Sequence, residues 1–218
     1  MSVIRNSEKC KNPKRIMRTF CSLTQSLADV AMEVCRKVII YESWDVYAWT
    51  RNDQTEFQSK SEISFHKMSN EELIKHAAAG GRLKNQAELF FRNRGIDNIY
   101  GFFIGDELVH SSWVYTIEEC KKDPAMALEL NKDEVEIKHC LTPEQFRGRG
   151  LYVYAIRCLS DMMFRQGFVQ VFMTVDLDNE PSKRGIEKAG LKHIGQMKRV
   201  GIMIGGRRFT RVFKTEKC

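Results

Sequence analysis

At 218 residues, with 43% apolar and 29% charged side chains, the chain suits one globular domain of ordinary size, or one domain with an appendage. No apolar run is long enough to span a bilayer, and residues 1–18 are too polar for a secretory core, so the expected compartment is the cytoplasm, with no membrane partner. The net charge of +7 would suit a nucleic acid or an acidic small molecule, but no nucleic-acid-binding motif is present. Near the C-terminus Lys198, Arg199, Arg207, Arg208, Arg211 and Lys214 alternate with apolar residues, as on the solvated face of a hairpin. The seven cysteines are scattered and never spaced Cys-x-x-Cys, so neither a metal site nor a disulfide framework is expected.

In chain order, residues 1–17 are polar and basic without periodicity, and Arg18 to Arg36 carries the apolar spacing of an amphipathic helix. Lys37 to Thr50 is rich in Val, Ile, Tyr and Trp and reads as a strand. Residues 1–60 are therefore separated as a helix-and-strand extension, and 61–218 as the main domain. The extension is apolar enough to need a partner, either the main sheet or a second copy in a homodimer. Trp44, Tyr47 and Trp49 serve either packing or substrate stacking.

Glu62 to Lys67 is a strand, and Ser69 or Asn70 caps the helix that follows. Gly80-Gly81 interrupts it. Arg82 to Arg94 is a second helix with Leu83, Ala87, Phe90 and Phe91 inward. Two antiparallel strands, Ile99 to Ile104 and Glu107 to Tyr115, turn at Gly105-Asp106. Lys121 to Lys132 is a loop or short helix.

The central stretch runs from Glu136 to Gly167, its strand beginning at Val135. A strand to Leu141 and a turn at Thr142-Pro143-Glu144 lead into Gln145-Phe146-Arg147-Gly148-Arg149-Gly150. Tyr152, Ala155, Ile156, Leu159 and Met163 then recur at helical spacing, with Gly167 as the stop. A glycine-bearing loop at a helix N-terminus suits phosphate, because the first N–H groups lack internal partners and carry positive potential. Arg147 and Arg149 add guanidinium forks. A Walker loop fails because Leu151-Tyr152 follows Gly150, and a dinucleotide fingerprint fails at Val153. The pattern Gln/Arg-x-x-Gly-x-Gly/Ala fits at every required position. The plain alternative is a glycine turn that merely starts a helix.

With that hexapeptide, the chain resembles the GNAT superfamily of acyl-CoA-dependent N-acetyltransferases. A second block resembles it too: the strand Val169 to Val175, then Asn179, the small Ser182 three residues on, and a short helix closing on Gly190-Leu191. The resemblance implies an α/β (α+β) fold, with a mixed, mostly antiparallel central sheet, splayed central strands and flanking helices. It implies acetyl-CoA as acyl donor and a small-molecule amine as acceptor. Leu141 and Thr142 would lend backbone groups to the pantetheine arm. Arg147, Gly148, Arg149, Gly150 and Leu151 would hold the pyrophosphate, and Asn179 the thiol end.

Glu136 falls where the histone-acetylating branch has its general base, with Glu-x-x-x-Cys running to Cys140. Simple alternation sets Glu136 and Cys140 on one face towards the splayed gap, with His139 on the other as a core histidine. The competing role for Glu136 is a carboxylate paired with Lys138 or Lys192. Many family members have a Tyr seven residues after the Asn as general acid; this chain has Ile186. That departure keeps a non-catalytic acyl-CoA-binding module in view. The phrases around Thr142-Pro143, Arg147 to Tyr152 and Gly185 to Gly190 also resemble bacterial GNATs of surface-polysaccharide synthesis. They suggest a nucleotide-linked amino sugar as acceptor, with a protein or small amine as the alternative.

Overall fold

The computed structural model describes residues 39–53, 61–204 and 207–216; the expected helix from Arg18 to Arg36 and the polar stretch before it lie outside these. Eight strands form one sheet: β1 (Ile39–Thr50), β2 (Ser64–Lys67), β3 (Ile99–Ile104), β4 (Glu107–Tyr115), β5 (Glu134–Leu141), β6 (Gln170–Asp176), β7 (Lys192–Ile204) and β8 (Arg207–Glu216). Their spatial order is β2-β3-β4-β5-β6-β1-β7-β8. The pairs β2–β3, β3–β4, β4–β5 and β1–β6 are antiparallel, and β5–β6 is parallel.

Local chemistry accounts for the helices. Ser69 opens α1 (Asn70–Ala77) with a capping box: its hydroxyl accepts from the Glu72 amide at 3.1 Å, and its own amide donates to the Glu72 carboxylate at 2.7 Å. The expected second helix runs its full length to Arg94 but changes pitch. It is α-helical as α2 (Gly81–Gln86) and π-helical over Ala87–Arg92, which still turns Leu83, Ala87 and Phe90 into the core. Thr116 and Glu119 form a second capping box for α3 (Ile117–Lys122), in place of the helix or loop read from Lys121 onward. Then come α4 (Leu151–Arg165), stopped at Gly167 with φ 104°, and α5 (Glu180–Ala189), closed by Gly190 in the left-handed region.

The chain divides into two units, Ser43–Lys198 with Val212–Cys218 and Met1–Glu42 with Arg199–Arg211. In the smaller unit Arg199 and Glu42 pair at 2.8 Å, and a side chain on Gly201 would collide with the Phe209 carbonyl. In the larger unit the aromatic strand finds its partner: Trp44 to Thr50 pair residue by residue with Asp176 to Gln170. Tyr47 and Trp49 enter the core under α4 and α5, while Val46 and Ala48 pack on the opposite face with Phe172 and Leu128. All four are buried, so their role is packing.

Asp45, also buried, ties three elements together: Lys183 of α5 at 2.7 Å, and His193 and Gln196 of β7 at 3.0 Å each. Burial alone would push its carboxyl up, but the bonds from Lys183, Gln196 and His193 outweigh that and hold it below the ordinary value. A depressed folded value makes the contribution complete above about pH 4 and lost as pH falls through the folded value. Asp45→Asn should therefore lower the denaturation midpoint at neutral pH and flatten the loss of stability on acidification. An acid limb as steep as that of the unmutated chain would show that Asp45 does not bear this load.

Candidate functional site

Strands β5 and β6 are in register only from Glu134↔Gln170 to Glu136↔Phe172. Beyond that point both continue, β5 to Leu141 and β6 to Asp176, without pairing to each other. The sheet is open there, and backbone groups along the parting edges are left for another partner.

On its other side β5 carries a bulge. Between Trp113↔Lys138 and Ser111↔Leu141, β4 advances two residues and β5 three. His139 takes the strain at φ 51°, unusual for a residue with a Cβ. The bulge overturns two expectations based on simple alternation. Cys140 packs with Ile137 in the core under α4, on the face opposite Glu136. His139 lies on the Glu136 side, its ring stacked on Phe90 at 4.2 Å and edge-on to Tyr115 at 5.8 Å.

Glu136 is 0% exposed at the point of divergence. Its Oε1 accepts from Thr174 at 2.5 Å and from Lys138 at 3.1 Å, while Oε2 is buried without a partner. Of the two lysines weighed as partners, Lys138 makes the pair; Lys192 binds Asp53 at 2.8 Å. His139 Nε2 and Ser111 Oγ are also buried and unpartnered. Burial, then the nearby cations of Lys138, Arg82 and Arg94, push the His139 imidazole down to about 3, so it stays neutral.

Two cavities open at the end of β5. The smaller, about 430 Å³, is bounded by Thr142, Arg147, Gly148, Gly150 and Leu151 on one side and Pro181, Arg184, Gly185 and Lys188 on the other. Gly148 and Gly150 have φ 78° and 73°, and a Cβ on either would meet open space. No side chain caps the start of α4, so its first amides are available to an anion. Arg184 and Lys188 are contributions the sequence reading missed. Their spacing of four on α5, with Pro181 and Gly185 on the same face, was the signal available. These features fit a polyphosphate chain: uncapped amides, open glycines, and cations from two helices.

The larger cavity, about 610 Å³, lies on the α1–α2 side, with Leu141, Thr142, Ser111, Arg82, Asp106 and Glu107 among its walls. Thr142 and Arg147 belong to both cavities. Of the site residues expected from the sequence, Glu136, Arg149 and Asn179 line neither. Arg149 bonds the Gln145 carbonyl at 3.2 Å and lies over the Phe146 ring. The Asn179 side-chain oxygen caps α5 through the Ser182 amide at 3.2 Å. Ile186 is fully buried, whereas Tyr152 reaches from α4 across Gly185 to bond Ser182 Oγ at 2.7 Å. Burial pushes the Tyr152 phenol up, so it remains protonated. Among the described residues no cluster could hold a metal ion, and no helix is long and apolar enough to cross a membrane.

An acetyltransferase of the GNAT family from Colwellia psychrerythraea is similar in structure, at TM-score 0.53 and 12% identity, over 82% of this chain and 57% of that one. A GCN5-related N-acetyltransferase from Sphaerobacter thermophilus matches at 0.51 and 12%, over 86% of this chain and 56% of that one. The glucosamine N-acetyltransferase region of a fungal multi-domain β-N-acetylglucosaminidase matches at 0.55 and 13%, over 82% of this chain and 23% of that one. The chain thus spans less than two thirds of each of these proteins. No family model matches the sequence, and no curated protein matches it. With its parted β5 and β6 and the glycine loop opening α4, the chain has the GNAT fold.

The contact between Tyr152 and Gly185 is directly testable. A Cβ at position 185 would lie 2.5 Å from the tyrosine ring, so Gly185→Ala must displace that ring. Overpacking of this kind costs about 1–3 kcal/mol, against roughly 1 kcal/mol gained from helix propensity. Denaturant titration should show a net loss; a net gain would mean that the ring does not pack on the glycine.

Proposed function

We propose that the protein is an acyltransferase that moves an acetyl group from acetyl-CoA to a primary amine. The observation that carries this reading is the smaller cavity, where an uncapped helix N-terminus, two open glycines and the cations Arg147, Arg184 and Lys188 surround space suited to a pyrophosphate. In this reading the edge of β5 that parts from β6, with Leu141 at its end and Thr142 just beyond it, receives the pantetheine arm by backbone hydrogen bonds. Arg149 supports the loop through Gln145, and Asn179 holds α5 in place. The larger cavity, with the orphaned Ser111 hydroxyl in its wall and Asp106 and Glu107 lining it, takes the amine. When bound, acetyl-CoA supplies the activated acyl group; the chain supplies position and a proton acceptor.

Glu136 is the proposed base, acting through its unpartnered Oε2 and an intervening water, while Thr174 and Lys138 fix the other oxygen. The acceptor is drawn from amino sugars, free or nucleotide-linked, from peptide lysines, or from other small amines. The fold likeness to a glucosamine N-acetyltransferase region puts amino sugars first to be tried. The complete burial of Glu136 and Ile186 favours one second reading, a module that binds acyl-CoA without turnover.

Gly148→Asp and Gly150→Asp each place a carboxylate where the anion must sit. Calorimetry should find acetyl-CoA binding abolished, with the circular dichroism spectrum of the fold retained. Equal affinity in both variants and the unmutated chain would remove the site. Thiol release from acetyl-CoA over the amine panel separates enzyme from binder. In an active protein, Glu136→Gln should lower kcat by on the order of 10²–10⁴ with the CoA dissociation constant unmoved. A rate within about threefold of the original would end the role of Glu136, since loss of a base costs far more.

A further inference from the structure

Beneath Thr142, where the two cavities meet, four side chains form an unbroken string. Thr142 Oγ1 lies 2.7 Å from His110 Nδ1, His110 Nε2 lies 2.8 Å from Ser112 Oγ, and Ser112 Oγ lies 3.2 Å from Cys140 Sγ. The Cys140 thiol in turn donates to the Lys138 carbonyl at 3.8 Å. The bulge at His139 makes the string possible, because it turns Cys140 to the face occupied by His110 and Ser112.

Counting protons assigns every role. With its only proton on the Lys138 carbonyl, Cys140 is an acceptor for Ser112. Ser112 therefore directs its hydroxyl proton to sulfur and must accept from His110 Nε2–H. His110 is fully buried, edge-on to Phe102 at 5.6 Å, and burial pushes its imidazole down to about 3. A neutral ring with its proton on Nε2 offers a lone pair at Nδ1. Thr142 then donates its hydroxyl proton to that lone pair, and its oxygen keeps only accepting capacity.

We infer that His110 is a positioning residue that locks the Thr142 hydroxyl as a hydrogen-bond acceptor, and that this oxygen receives an N–H group of a ligand bound where the two cavities meet. The locking stands on the string alone; the ligand's identity rests on the transferase reading. An N–H at that point comes either from a secondary amide of the acyl donor's pantetheine arm or from the acceptor amine. A ligand presenting a carbonyl or ether oxygen there would meet two opposed lone pairs.

The locking is read on the unmutated chain by ¹⁵N NMR of the imidazole nitrogens. His110 should be neutral and protonated at Nε2 throughout the range in which the protein is folded; the Nδ1–H tautomer, or a charged ring, would overturn the inference. The contact is read by calorimetry with acetyl-CoA and by steady-state kinetics. Thr142→Val should weaken one ligand by on the order of tenfold, the effect of leaving an N–H without its acceptor, and Thr142→Ser should recover most of the loss. A raised CoA dissociation constant assigns the N–H to the donor, and a raised KM for the amine alone assigns it to the acceptor. His110→Phe should weaken the same ligand, and the double variant should be no worse than Thr142→Val, because both changes remove one coupled interaction. No effect of Thr142→Val on either ligand, or additive losses in the double variant, would overturn the contact. If the unmutated chain neither binds CoA nor releases thiol, the transferase reading fails by itself, and the tautomer still decides the locking.

Discussion

Along β4 the chain takes two steps from Trp113 to Ser111 while β5 takes three from Lys138 to Leu141, and His139 absorbs the difference at φ 51°. This extra residue sorts the polar groups of β5 onto two faces. Glu136, Lys138 and His139 go to one, beside Trp113, Tyr115 and Phe90. Cys140 goes to the other, where it ends the string from Thr142. Without the bulge the strand would alternate to its end, and Leu141 and Thr142 would exchange faces. The His139 carbonyl is held from across the strand by the Gln86 side chain at 3.2 Å, and Gln86 also accepts from the Trp113 indole at 3.4 Å. A strained backbone residue kept in place by side chains of two other elements is a common property of functional sites.

Two further constraints shape the space around the bulge. The first is the separation of β5 from β6 beyond Glu136 and Phe172, which leaves main-chain donors and acceptors facing a gap. The second is the grip on α5, anchored to β1 and β7 through Lys183 and Asp45 and set close to α4 by Gly185. With α5 fixed in this way, Arg184 and Lys188 line the cavity at the start of α4. A strand from the N-terminal part of the chain thus helps to place cations beside a loop more than one hundred residues later in sequence. The Asp45 carboxylate is the hinge of that arrangement.

The buried polar groups fall into two kinds. His110 is fully satisfied on both ring nitrogens, and its neutrality follows from burial alone. Glu136 Oε2, Ser111 Oγ and His139 Nε2 lie on the other face of the same strand pair, buried without protein partners. An unsatisfied buried polar atom costs about 1–3 kcal/mol, so three on one side of β4 and β5 mark that side as the costly one to bury. The satisfied string supports the site from behind, and of the unsatisfied residues Ser111 lines the cavity by which the amine is proposed to enter.

Much of this was legible in the sequence because its signals are local. The capping box at Ser69 and Glu72, the hairpin at Gly105-Asp106, the glycine loop and the helical spacing of Tyr152 to Met163 each depend on residues within a few positions of one another. The order of elements followed from them, and the fold class from the family resemblance carried by the glycine loop and the Asn179 block. What only the tertiary structure decided depends on long-range pairing. Alternation cannot reveal a bulge, because the extra residue is defined by its partner strand, so the sides taken by His139 and Cys140 were misread. The docking of Trp44 to Thr50 against β6, the anchoring of α5 by Asp45 and the meeting of His110 with Thr142 join residues far apart in sequence. No periodicity records such contacts, because they arise from which strands the folded sheet brings side by side.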